Sequence, residues 1–80
     1  MAKRKLLMKV TKQYRNRVRE CRLQAMMAKQ EDLAKKTGIN RSTINALENN
    51  RLFLSSTYAL LISEALKCKL DQLYEKRNAR

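Results

Sequence analysis

The sequence has no histidine and no proline, and its 80 residues include only one glycine and two cysteines. Without histidine, and with only two thiols, the chain lacks the usual ligand set of a structural zinc site, so we expect no metal. The shortage of proline and glycine leaves few helix breakers, which favours short helices joined by tight turns. No apolar run approaches the roughly 20 residues of a membrane-spanning helix.

The chain also lacks the residue combinations on which most enzymes depend. It has no histidine to act as a general base, no phosphate-binding glycine loop, no activated serine or cysteine and no paired carboxylates. We therefore expect no enzymatic activity, no cofactor and no small-molecule ligand. Cys21 and Cys68 both lie among apolar neighbours, and we interpret them as buried or half-buried thiols of a cytoplasmic protein.

Acidic residues are scarce, because seven Asp and Glu face 19 Lys and Arg, for a formal net charge of +12. Such an excess favours a polyanionic partner, since clustered cations gain free energy by displacing counterions from phosphates. The alternative is a merely well-solvated surface. The charge is uneven, because ten of the basic residues but only one acid, Glu20, lie within residues 1–29.

The spacing of apolar residues predicts one compact all-α domain of five helices. The predicted domain covers residues 12–76, after a basic N-terminal arm (1–11) and before a C-terminal tail (77–80). The helices are expected at about residues 12–26, 30–37, 41–49, 57–68 and 70–74, because apolar positions recur there at helical spacing. The arm could be a flexible tail, a short strand or an extension of the first helix, and it could enter a minor groove or only increase solubility.

Residues 30–51, QEDLAKKTGINRSTINALENNR, have the order of a helix, a turn and a second helix. Gly38 permits the turn and Asn40 is a favourable N-cap for the second helix. Five apolar residues are expected to hold the two helices at a steep angle: Leu33, Ala34, Ile39, Ile44 and Leu47. This arrangement leaves a short-chained polar face outside, and such a helix fits the major groove of B-DNA, which is about 12 Å wide.

The stretch from about Asn16 to Tyr74 resembles the phage repressor and Cro family of helix-turn-helix domains, also called the XRE type. The residues that carry the resemblance are Gln30, Leu33-Ala34, Gly38-Ile39, Ser42-Thr43-Ile44, Leu47-Glu48-Asn49 and Leu70-Asp71-Gln72-Leu73-Tyr74. The resemblance implies a five-helix repressor-like domain that usually binds operators as a homodimer. We expect a cytoplasmic, nucleoid-associated protein of a prokaryote or a phage. Several features depart from the family pattern: the link from Arg22 to Gln30 is one residue longer, and Leu52-Phe53-Leu54 replaces a usually polar loop. Lys29 and Lys69 also stand at usual cap positions, and Asn50 replaces a frequent glycine.

The resemblance also implies roles for individual residues. The base-facing positions are Asn40, Arg41, Ser42, Asn45 and Ala46. The phosphate-facing positions are Gln30 and Asn49, and Arg51 lies next to Asn49. Arg22 and Glu48 are similar to an ion pair that ties the first helix of the family to the third, although Arg22 could instead reach a phosphate.

The chemistry of these side chains points in the same direction without the family. Arg41 can make a bidentate contact with guanine, Asn45 can bind adenine, and Ala46 can touch a thymine methyl. Arg15 and Arg19, with Lys12, fall on one face of the predicted first helix and could lie along the phosphate backbone.

The sequence therefore predicts a Cro/repressor-like, sequence-specific transcriptional regulator that binds double-stranded DNA with a recognition helix at about 41–49. The alternative is an antitoxin or adaptor module that acts through a protein partner. Leu52-Phe53-Leu54 either seals the edge of the core or contacts a second copy or a partner. Charge-driven, non-specific binding to nucleic acid and association with a membrane surface are the remaining possibilities.

Overall fold

The computed structural model describes residues 9–77. Its elements are β1 (Tyr14–Asn16), α1 (Val18–Gln24), α2 (Gln30–Thr37), α3 (Arg41–Glu48), α4 (Ser56–Leu66), a 3-10 helix (Leu70–Leu73) and β2 (Tyr74–Lys76). Residues 9–13 are also helical. Residues 1–8 of the predicted arm and 78–80 of the predicted tail lie outside the described residues, whereas residues 9–11 of the arm belong to the helical stretch.

The prediction of an all-α fold is wrong at the two ends of the domain. β1 and β2 form an antiparallel pair in which Arg15 lies opposite Glu75. The main-chain N–H of Arg17 donates to the carbonyl of Leu73 at 2.7 Å, next to the end of this ribbon. The predicted helix over 12–26 is therefore interrupted, and α1 begins only at Val18. Helical spacing carries no information about hydrogen bonds to a segment so distant in sequence, and these bonds decide the conformation here.

The fifth predicted helix is correspondingly shorter. Leu70–Leu73 form a single 3-10 turn, and Tyr74, which was expected in that helix, begins β2. The main-chain N–H of Lys69 donates to Oε1 of Gln72 at 2.9 Å and so caps the turn.

The helix-turn-helix itself agrees with the sequence prediction. α2 spans the expected residues 30–37, and Gly38 follows it with φ 80°, the left-handed conformation that an amino acid without Cβ adopts at little cost. Asn40 caps α3 through its Oδ1, which accepts the N–H of Ser42 at 2.9 Å. α3 ends at Glu48, one residue before the predicted end.

The core gathers apolar side chains from all four α-helices and from the segments around them. The largest fully buried side chains are Val18, Leu33, Ile44, Leu47, Leu54, Ile62 and Leu73. In the apolar loop before α4, Leu54 is buried, whereas Leu52 and Phe53 remain 42% and 40% exposed. The loop therefore seals the core through Leu54 alone. Among the described residues, no helix has the length and the apolar character needed to cross a bilayer.

Candidate nucleic-acid interface

α3 has two different sides. Ile44 and Leu47 are completely buried, and they attach the helix to the core. The outer face of α3 and its C-cap is formed by residues at helical spacing that are exposed or half-buried: Arg41, Ser42, Asn45, Ala46 and the C-cap residue Asn49. Four of the five predicted base-facing residues, Asn40 through Ser42 and Asn45, line a shallow concave surface with Gln30 at the start of α2. The fold thus brings residues from two helices together on one open surface.

A buried ion pair fixes the far end of α3. Nε of Arg22 donates to Oε2 of Glu48 at 2.7 Å, and Nη2 donates to Oε1 at 3.3 Å. The two side chains are only 6% and 3% exposed. Nη1 of Arg22 also donates to the carbonyl of Met27 at 2.7 Å, so the guanidinium joins α1, α3 and the turn before α2. These contacts occupy the Arg22 guanidinium inside the protein, which favours the predicted ion pair over the alternative of a phosphate contact.

Gln30 braces α3 from the side of α2. Its Nε2 donates to Oε1 of Glu48 at 3.0 Å and to Oδ1 of Asn45 at 3.2 Å. Both amide hydrogens are used in this way. Among residues 9–77, the main-chain N–H of Gln30 has no acceptor, and it lies in the first turn of α2, where a helix favours an anion.

The hydrogen bonds of Asn45 and Asn49 limit what each can offer to a ligand. Nδ2 of Asn49 donates to the carbonyl of Asn45 at 2.9 Å and to its Oδ1 at 3.1 Å. Oδ1 of Asn45 therefore accepts two hydrogen bonds, one from Asn49 and one from Gln30, whereas its Nδ2 remains a donor. Asn45 can donate to a base acceptor without change, but a bidentate contact with adenine needs its Oδ1 to lose one present partner.

Asn40 and Ser42 form a small capping unit at the start of α3. Oδ1 of Asn40 accepts both the main-chain N–H of Ser42 at 2.9 Å and its hydroxyl at 2.8 Å. The cap leaves Nδ2 of Asn40 and the lone pairs of the Ser42 hydroxyl oxygen for an external partner. Both residues are exposed, so the cap does not hide them.

The predicted phosphate-binding arginines differ in whether they already form ion pairs with acidic residues. Arg15 lies in β1 and Arg19 in α1, so the prediction that they share one helical face is wrong. Nε of Arg15 donates to Glu75 at 2.5 Å, and its Nη2 lies 3.5 Å from Glu20. The hydrogen bond and the charge of Glu75 raise the pKa of Arg15, desolvation opposes them, and the charge of Glu20 raises it further. Arg19 and Arg51, like Arg41, are exposed and form no ion pair within the described residues.

Asn16 is a buried polar residue that sequence analysis missed. Its Nδ2 donates to the carbonyl of Leu47 at 2.6 Å, and its Oδ1 accepts the N–H of Val18 at 3.1 Å. Its main-chain N–H donates to Oδ1 of Asn50 at 3.1 Å. Asn16 thus connects β1 and the start of α1 to the end of α3. The sequence signal was an amide two residues before Val18, the first buried residue of α1, close to where capping side chains commonly occur.

Comparison with known protein families also identifies a helix-turn-helix in this part of the chain. A helix-turn-helix family model (HTH_3) matches residues 18–73, from α1 through the 3-10 helix, which is more than half of the chain. No curated protein and no solved structure matches the chain. The matched range contains α2, the Gly38 turn and α3, and it also contains both partners of the Arg22–Glu48 ion pair. The chain therefore belongs to the XRE-type helix-turn-helix family.

Proposed function

We propose that this chain is a sequence-specific transcriptional regulator that binds double-stranded DNA by placing α3 in the major groove. The observation that carries the proposal is the outer face of α3, which is polar and exposed while the opposite side is buried and tied to α1 and α2. A helix with its side chains is about as wide as the major groove of B-DNA. Membership of the helix-turn-helix family also supports DNA binding by the outer face of α3.

In this proposal Arg41 makes the most discriminating base contact. Its exposed guanidinium presents paired N–H donors, which match the O6 and N7 acceptors of guanine. Asn45 contributes its Nδ2 donor, and Asn40 and Ser42 contribute short polar groups at the start of α3. Ala46 offers a methyl group to thymine.

Phosphate contacts hold the helix in position. Gln30 binds one phosphate through its main-chain N–H, while Arg51 and Arg19 contribute exposed charges. Asn49 joins them if one of its two hydrogen bonds to Asn45 is released. Arg15 is expected to contribute least, because it has to exchange Glu75 for the phosphate.

The proposal is tested by selecting binders from a random duplex library at fixed salt and then comparing variants on the selected site. Arg41→Ala is expected to lose discrimination at one base pair by roughly 5- to 150-fold, which corresponds to about 1–3 kcal/mol for a bidentate contact. Affinities for duplexes altered at the other positions are expected to keep their order. Equilibrium binding to each single-base variant of the site measures this.

Two further arginine variants are the controls. Arg51→Ala is expected to weaken all duplexes to a similar degree and to lower the slope of log affinity against log salt by about one. Arg15→Ala removes the same charge from a residue already paired with Glu75, so its effect on the slope is expected to be smaller. If Arg41→Ala and Arg51→Ala behave alike, or if random and selected duplexes bind equally, α3 does not read bases.

We further propose that the regulator binds as a homodimer, with half-sites about 34 Å apart, one helical turn of DNA. Leu52 and Phe53 are the residues near α3 that favour a protein contact, since both remain about two-fifths exposed in the structure. Light scattering with and without a two-site duplex measures the stoichiometry. A stable complex with a different co-purified protein would favour the antitoxin or adaptor alternative.

A further inference from the structure

Cys21 and Cys68 lie together where α1 meets the segment that follows α4. Both line one pocket, together with Arg17 and Lys67. Cys21 is buried, and its Sγ–H donates to the carbonyl of Gln72 at 3.4 Å. Cys68 is half-buried, and its main-chain N–H donates to the carbonyl of Ser63 at 3.0 Å, which fixes its place after α4.

The two thiols line the same pocket but differ in access, because Cys21 is buried and Cys68 is half-buried. Burial raises the pKa of Cys21, the Coulombic interaction and the hydrogen bond with Cys68 raise it further, and the charge of Arg17 opposes both. Cys21 therefore stays protonated at neutral pH, and Cys68 is the thiol that reagents reach first. The pocket has a volume of about 380 Å³ and opens to solvent, so small molecules can approach the pair.

We propose that Cys21 and Cys68 are a reactive pair that closes to an intramolecular disulfide when the chain meets a low-molecular-weight disulfide such as oxidised glutathione. Such a pair has the composition of a redox-sensing site, in which an accessible thiol reacts and a neighbouring thiol resolves the product. Arg17 also lines the pocket, and its positive charge opposes the rise in the pKa of Cys21.

The reaction balances in two exchange steps. The Cys68 thiolate attacks one sulfur of oxidised glutathione, so that a mixed disulfide forms and one glutathione thiolate leaves. Cys21 then loses its proton to solvent and attacks the Cys68 sulfur, which releases the second glutathione thiolate. Overall the two protein thiols are oxidised to one disulfide, and one glutathione disulfide is reduced to two glutathione molecules.

The bridge would join α1 to the start of the C-terminal segment and close a loop that contains α2, α3 and α4. Such a loop restricts the unfolded chain, so the oxidised protein is expected to be more stable than the reduced one. This inference stands apart from the proposed function, because it requires no contact with DNA.

The test uses the full chain, incubated with oxidised glutathione, then alkylated under denaturing conditions and weighed by mass spectrometry. The wild type is expected to lose two hydrogen atoms, to carry no glutathione and to resist alkylation. Its melting temperature is expected to rise by roughly 10 °C or more and to return after reduction. A wild type that accumulates the mixed disulfide, links two chains or stays reduced overturns the proposal.

Two single variants separate the roles of the thiols, with circular dichroism to verify that each is folded. Cys21→Ser is expected to retain one glutathione on Cys68 that is never resolved. Cys68→Ser is expected to form no bridge and to react slowly, because Cys21 is buried. Cys68→Ser changes a half-buried residue, so it keeps the test decisive if Cys21→Ser does not fold. The assignment is contradicted if Cys21→Ser carries no glutathione, or if Cys68→Ser reacts with oxidised glutathione as fast as Cys21→Ser does.

Discussion

α3 and α4 are both held against the core, but by different forces. The buried side of α4 is formed by apolar residues, Ala59, Ile62, Ala65 and Leu66, and by Ser63, whose hydroxyl donates to its own helix at the Leu60 carbonyl (2.9 Å). α3 combines two buried apolar residues with hydrogen bonds from three other segments, which reach Glu48 and the carbonyl of Leu47.

This difference shows what fixes the orientation of a helix about its own axis. Hydrophobic burial is non-directional and depends on the area removed from water, so it tolerates small shifts of a helix. Hydrogen bonds depend on angle and distance, so those to Glu48 and Leu47 fix how α3 is turned about its axis. The proposed reading of base edges by the outer face of α3 requires this second kind of attachment.

The largest effect is expected from breaking the anchor of α3. Glu48→Ala leaves the guanidinium of Arg22 buried without its carboxylate, so we expect a loss of about 3–5 kcal/mol in the free energy of unfolding. Urea denaturation followed by circular dichroism measures the loss. The control is the double variant Arg22→Met with Glu48→Leu, which removes both charges and is expected to be more stable than Glu48→Ala alone. A single variant as stable as the wild type would contradict an anchoring role for the pair.

A core substitution in α4 is expected to cost less and to depend on volume rather than on geometry. Ile62 is fully buried, so Ile62→Ala is expected to reduce the free energy of unfolding by about 3 kcal/mol through lost burial and a cavity. Ile62→Leu keeps the volume and is expected to cost less than about 1.5 kcal/mol. Urea denaturation compares the two, and equal losses would show that α4 also requires one defined geometry.

Tyr74 sharpens the comparison, because it makes a directional bond beside α4. Its hydroxyl donates to the carbonyl of Leu54 at 2.5 Å, and burial raises its pKa. Tyr74→Phe is expected to cost about 1 kcal/mol at neutral pH, as for one hydrogen bond. If Tyr74→Phe lowers the free energy of unfolding more than Ile62→Ala does, hydrophobic burial is not the main force that holds α4 and its surroundings.

The same residue predicts how stability depends on pH. The folded protein keeps the Tyr74 proton to higher pH than the unfolded chain, whose ordinary pKa is 10.0, so stability is expected to fall as pH rises above that value. Cys21 is expected to add a similar loss above its ordinary pKa of 9.0, because burial raises its pKa as well. Thermal melting at a series of alkaline pH values is expected to show the loss of stability due to Tyr74 only in the wild type. The loss due to Cys21 is expected in both the wild type and Tyr74→Phe.

The smallest effect is expected in the turn between α1 and α2. Met26 has φ 64° and is 90% exposed, so its side chain gains little from packing and its backbone is in the left-handed region. Met26→Gly is expected to stabilise the protein by up to about 1 kcal/mol, since glycine adopts this conformation without a steric penalty. Met26→Ala is the matched control and is expected to give no such gain. A lower melting temperature for Met26→Gly would show that the side chain has a contact worth more than the strain.

The sequence predictions were accurate for features that depend on neighbouring residues and inaccurate for features that depend on residues distant in sequence. The bounds of α2, the left-handed Gly38 and the Asn40 cap depend on neighbouring residues, so local patterns were sufficient to predict them. The β1–β2 ribbon was missed because Arg15 and Glu75 are brought together only by the completed fold. The residues on the outer face of α3 were predicted by position, but their hydrogen bonds were not, because the partner of Asn45 on α2 depends on the packing angle of the two helices.

By itself, the sequence determined a small, strongly basic chain with a helix-turn-helix at residues 30–48, since charge and helical periodicity are written in the order of residues. Only the tertiary structure decided that Asn16 and Arg22 hold the end of α3. It also decided that Arg15 forms an ion pair with Glu75, and that Cys21 and Cys68 line one pocket. The physical reason is that these contacts join segments distant in sequence. Their free energy becomes available only after the core has brought those segments together.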